Sequence, residues 1–121
     1  ARNTQVSSSN SVKGLNAGGA TPSQSNVIDR VTVASTGNAT DFGNDTGADH
    51  TIGAGFQNST RSGIAGGSGN TQQIDFITTQ SSGVSNDFGD MVDGRSCSGA
   101  SSQTRGLFFG GYKSPSSTSF R

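Results

Sequence analysis

Residues 27–43 read VIDRVTVASTGNATDFG, and residues 73–89 read QIDFITTQSSGVSNDFG. The second stretch begins 46 residues after the first. Ile28-Asp29 aligns with Ile74-Asp75, and Thr32 with Thr78. Asp41-Phe42-Gly43 aligns with Asp87-Phe88-Gly89 at the same offset. Within the second copy, Ile74, Phe76 and Thr78 alternate with Asp75, Ile77 and Thr79, the period of two that a strand imposes on side chains.

A second recurrence flanks the first. Lys13, Arg61 and Arg105 each open a short stretch of small or apolar residues that ends in a glycine pair: Gly18-Gly19, Gly66-Gly67 and Gly110-Gly111. The spacings are 48 and 44 residues, so loops absorb two-residue differences. One repeat then holds four extended pieces, placed in the second copy at about 51–57, 61–67, 73–80 and 87–92, with Gly and Ser clusters between them. Four short strands in a repeat of 40–50 residues is the pattern of a β-propeller blade. The chain divides into a first repeat at 1–44, a second at 45–90 and a partial third at 91–121. The expected fold is all-β, about two and a half four-stranded antiparallel blades of a larger propeller.

Composition agrees with strands and turns. All eight acidic residues are Asp, and Leu occurs twice, whereas Ser and Thr together number 34 and Gly 19. Helices favour Glu and Leu; Ser, Thr and Gly favour caps, turns and strands. Large apolar residues are few, but the net charge is zero, so the high-charge signature of disorder is missing. A balanced charge also argues against nucleic acid as a partner. No apolar run of 18 residues suggests a membrane helix, and no amino-terminal charged-then-apolar pattern suggests a signal peptide. With Cys97 as the sole cysteine, an internal disulfide is excluded. The first residue is Ala and the repeats stop at a non-integer number, so the chain is expected to be a segment of a longer polypeptide, or else to be completed by other chains.

The motifs that look chemical read better as structure. An Asp-Phe-Gly triplet holds Mg²⁺ in protein kinases, but only beside a Gly-rich loop, a strand lysine and a catalytic-loop aspartate, none of which is present. Phe42 and Phe88 are expected instead to plug the seams between blades, with Asp and Gly shaping a turn. The glycine pairs fit where backbones approach closely or φ turns positive. His50 is the sole histidine. Too few other metal-ligand types stand near it in sequence, so it reads as a surface loop residue. Cys97 reads as a small buried apolar residue. Asp41, Asp45 and Asp49, and again Asp87, Asp90 and Asp93, read as turn-forming acids, since no EF-hand spacing occurs. Lys13, Arg61 and Arg105 are expected to play a structural part, as inter-blade hydrogen bonds or as partners of Asp29 and Asp75. No phosphate loop and no nucleophile elbow is found. No catalytic, cofactor or metal residue is nominated.

The strand ending in Gly-Gly, followed by a loop and a second amphipathic strand, resembles Kelch repeats. The fuller wording at 104–112, 26–32 and 36–43 is similar to Kelch-like repeats of long virion proteins of tailed, especially marine, phages. The Kelch Trp is missing, and the Tyr after the glycine pair survives only as Tyr112. The resemblance implies a non-enzymatic virion component of a tail, tail fibre or appendage. Its implied partners are other virion proteins or further copies of itself, with a host-surface glycan as a further ligand, and no membrane. An extracellular or cell-surface adhesion module is the alternative.

Overall fold

A computed structural model describes residues 1–45, 50–69 and 71–113. Among these residues there is no helix. Twelve strands form four antiparallel sheets. The first sheet joins β1 (Val6–Ser9), β2 (Lys13–Ala17), β5 (Val27–Thr32) and β6 (Thr40–Asn44), in that order. The second joins β7 (Ala54–Gln57), β8 (Arg61–Ala65), β9 (Gln73–Thr78) and β10 (Asn86–Asp90) as a simple meander. The third pairs β11 (Ser96–Ser101) with β12 (Gly106–Tyr112). A two-residue hairpin, β3 (Ala20–Thr21) with β4 (Ser23–Gln24), fills the connection between β2 and β5. The four extended pieces expected for the second repeat are its four strands, each trimmed or shifted by a few residues.

Register shows that the sequence repeat is a structural one. Asn16 lies opposite Asp29 and Ile64 opposite Asp75; Ala17 lies opposite Ile28 and Ala65 opposite Ile74. The Asp-Phe-Gly triplets are bulges inside β6 and β10, where pairing slips in both sheets. Asp41 Oδ1 accepts the Gly43 N–H at 2.9 Å, and Asp87 Oδ1 accepts the Gly89 N–H at 2.8 Å. The aspartate therefore stabilises the irregular backbone itself, and Gly follows because φ there is +147° and +137°. The expected turn is thus a bulge within a strand.

The β1–β2, β7–β8 and β11–β12 hairpins are built the same way. Asn10 Oδ1 accepts from the Val12 and Lys13 amides, and Asn58 Oδ1 from the Thr60 and Arg61 amides. Ser102 Oγ takes this place for Thr104 and Arg105. These side chains satisfy turn amides that have no ladder partner. Each tip also reaches the next: Asn10 Nδ2 donates to the Ser59 carbonyl at 3.3 Å, and Asn58 Nδ2 to the Gln103 carbonyl at 3.2 Å.

The sheets pack against one another, with the edge strands β1 and β7 as neighbours and β7 also beside β11. Directly opposed residues share a sheet face. In the first sheet that rule puts Val6, Ala17 and Ile28 on one face with Leu15. They meet Ile64 and Ile77 of the second sheet, and Phe42 completes this buried cluster. Each fully buried Ile or Leu contributes roughly 1.5–3 kcal/mol. The second interface holds Phe56 and Phe108, edge to face at 5.1 Å between centroids. Phe88 departs from its expected place: it is 63% exposed while Phe42 is 2% exposed. The second repeat's loop closes over Phe42, with Gly83 N–H donating to the Phe42 carbonyl at 2.9 Å. The described residues place nothing comparable over Phe88, which packs edge to face on Phe76.

The glycine pair is where one repeat admits the next. Gly18 and Gly66 have φ of +65° and +68°. A Cβ at Gly18 would strike the His50 carbonyl, and one at Gly66 the Arg95 carbonyl. The second glycines hydrogen-bond those same carbonyls, Gly19 to His50 at 3.4 Å and Gly67 to Arg95 at 3.1 Å.

A buried histidine–aspartate cluster between two sheets

His50 is fully buried, contrary to its reading as a surface loop residue. It stands just ahead of β7, pressed between the first two sheets. Its ring Nδ1–H donates to the Gly66 carbonyl at 2.6 Å, and Nε2 lies 3.0 Å from Asp75 Oδ2 and 3.5 Å from Asp45 Oδ2. Asp75 comes from β9, on the face turned toward the first sheet. Asp45 follows β6 and is buried rather than an exposed turn acid. The Asp45 amide is tied to the Asn26 carbonyl at 2.7 Å. The sequence nominated no site, and topology assembles one from residues separated by up to 30 positions.

Each acid is also held from outside. Ser85 Oγ donates to Asp45 Oδ1 at 2.6 Å, and Gln73 Nε2 donates to Asp75 Oδ1 at 3.0 Å. Burial raises the Asp45 carboxyl above the usual carboxylate range; the Ser85 hydrogen bond and the His50 charge only partly oppose it. Burial alone would push the His50 ring down. The hydrogen bond to Asp75, the Gly66 carbonyl and the two carboxylate charges outweigh it and hold the ring above its ordinary value. Asp75 is lowered: burial works against its charge, but hydrogen bonds from His50, Asp45 and Gln73 prevail.

The first repeat carries a counterpart. Arg2 Nη1 donates to the Gly18 carbonyl at 3.0 Å and to the Val27 carbonyl at 2.6 Å, and its Nη2 pairs with Asp29. Gly18 and Asp29 are the repeat equivalents of Gly66 and Asp75, so Arg2 occupies the place of His50. Arg95 occupies it in the third repeat, since its carbonyl receives Gly67 as the His50 carbonyl receives Gly19. The acids Asp29 and Asp75 are therefore engaged by Arg2 and His50, not by Lys13 and Arg61 as expected. Arg61 lies over the Phe76 ring instead, 4.8 Å from its centroid, while Arg30 lies over Phe42. In the first two repeats the basic residue at this position joins the strand-three acid to the glycine pair. Position 45 has its own counterpart in Met91, whose amide meets Gln72 as Asp45 meets Asn26.

The other expected positions are scattered. Asp41 and Asp87 serve the bulges, and Asp93 pairs with Lys113 at 2.5 Å. Asp49 lies outside the described residues. Cys97 is half-buried rather than buried, and burial still raises its thiol. A groove of about 390 Å³ on the free face of the first sheet is lined by Ser7, Ser9, Asn16, Asp29 and Val31 among others. No nucleophile is aligned with the His50 ring, whose two nitrogens are engaged by Gly66 and the two acids. Compared with protein-family models and with curated proteins, the chain matches none.

Proposed function

We propose that the chain is a run of Kelch-like propeller blades serving as a non-enzymatic structural or binding component of a phage virion, in a tail, tail fibre or appendage. One observation supports the propeller part most directly. Leu15 and Leu107 hold the same repeat position, yet Leu15 is 4% exposed and Leu107 is 64% exposed. The difference is whether a following sheet covers them. Phe109 and Ala17 form a second such pair, again exposed in the third sheet and buried in the first. The chemistry of these faces is that of a blade awaiting its neighbour, supplied by further repeats, further copies or another virion protein. The virion part rests on the wording of the repeats. The exposed hairpin tips suit recognition of a glycan or a neighbouring protein.

The test is electron microscopy of the full-length protein, together with mass spectrometry of purified virions from its source. Closed rings of repeat sheets, and the protein's presence among tail components, are expected. Absence from virions would overturn the virion reading, and an open linear stack would overturn the propeller.

A further inference from the structure

We propose that Asp45, His50 and Asp75 form a structural binding site for one divalent transition cation of the zinc class. Their ligand atoms lie within 4.8 Å of one another, and all three residues are buried. The separations from His50 Nε2, 3.0 and 3.5 Å, bracket the ~3.3 Å between ligand atoms of a tetrahedral site with bonds of about 2.0 Å.

The orientation of the three side chains is the stronger observation. Each has its outward atom held by a group outside the cluster: His50 Nδ1 by the Gly66 carbonyl, Asp75 Oδ1 by Gln73, and Asp45 Oδ1 by Ser85. The inward atoms, Nε2 and two Oδ2, face one another across the cluster. With Nδ1–H held by a backbone carbonyl, a metal that displaces the Nε2 proton meets an inward-facing lone pair, the arrangement found behind metal-bound histidines. Two carboxylates and a neutral imidazole carry two negative charges, which one divalent cation balances. His with two Asp leaves a fourth coordination position, and its nitrogen excludes the all-oxygen preference of Ca²⁺ and Mg²⁺.

The repeats supply the contrast. The equivalent basic position is Arg in the first and third repeats, and in the first the Arg2 guanidinium itself supplies the cation beside Asp29. The equivalent of Asp45 is Met91. Only the interface of the first two sheets combines an imidazole with a second carboxylate. A metal there would clamp β9 of one sheet to the end of β6 of the other.

The chain's own equivalents make the test variants, His50→Arg and Asp45→Met. Full chain expressed in zinc-supplemented medium is analysed for metal, then stripped with chelator and dialysed against Zn²⁺, with Co²⁺ as a spectroscopic probe. The wild type is expected to hold one Zn²⁺ per chain and to give the absorption of tetrahedral Co²⁺. His50→Arg should bind at least 100-fold more weakly and Asp45→Met at least 10-fold more weakly, while both keep the wild-type circular dichroism. If His50→Arg fails to fold, Asp45→Met carries the test alone. Absence of stoichiometric metal in the wild type, or equal binding by a folded variant, overturns the site.

Discussion

The two sheet-to-sheet interfaces use the same repeat positions and reach different outcomes. Between the first and second sheets, Phe42 and Leu15 are sealed under the second repeat's loop and β9, and a charged cluster is buried whole. Between the second and third, Phe88 stays open beside a groove of about 480 Å³ lined by Phe56, Ile74, Leu107 and Phe108. The residues are alike, so the difference lies in what covers them. A repeat's third and fourth strands are what seal the interface with the sheet before it.

The largest way to break this comparison is at His50. In the metal-free protein, replacing it with Leu leaves the two buried acids without their cation, and we expect a loss of about 3–5 kcal/mol in urea denaturation. His50→Arg, which copies the first repeat, should recover most of that loss. Equal destabilisation by both would show that ring shape, not charge, holds the cluster.

Leu15→Ala should cost about 2–5 kcal/mol, whereas Leu107→Ala should change stability by less than about 0.5 kcal/mol in the isolated chain. The same pair measured in an assembled full-length protein should converge, because a covering sheet would bury Leu107. A cost at Leu107 that stays negligible there would break the equivalence.

With metal removed, pH sharpens the contrast. The folded His50 and Asp45 are raised above their unfolded values, so their stabilisation is complete at low pH and is lost as pH rises through the folded values. Asp75 is lowered, so its contribution is present above its ordinary value and is lost on acidification. Thermal melts in chelator should therefore show a maximum at mildly acidic pH and a decline toward alkaline pH. His50→Arg should remove the His50 share of that decline and leave only the part due to Asp45; an unchanged decline would place the titration elsewhere. The smallest effect is expected at a hairpin tip: Asn58→Ala should cost about 1 kcal/mol through its lost amide acceptor, as read by denaturation midpoint.

The repeat, the strands and the recurrence of Asp41 and Asp87 are legible in the sequence because they recur at a constant 46-residue offset; that these acids shape a bulge and not a turn shows only in the strand pairing. The buried cluster is not. Its basic position is Arg2, then His50, then Arg95, at spacings of 48 and 45 and with a change of residue type. Connecting segments of unequal length hide the alignment, and a lone His beside loop residues looks exposed. Its partner Asp75 is 25 residues away, brought in only by sheet stacking. Lys13, Arg61 and Arg105 recur more visibly, which drew the expected pairing to the wrong cations; their position at the hairpin ends puts them elsewhere.

Open stacked sheets leave strand edges that could pair with any passing strand and drive aggregation. The bulges in β6 and β10 blunt those edges, because an unpaired extra residue interrupts the flat row of amides and carbonyls. On β6, Gly83 and Ser85 of the next repeat also take up the Phe42 and Asn44 carbonyls. On β10, Asp87 and Asp90 set negative charge along the edge. The Asp-Phe-Gly triplet thus makes the outer edge of each four-stranded sheet a poor template for a foreign strand.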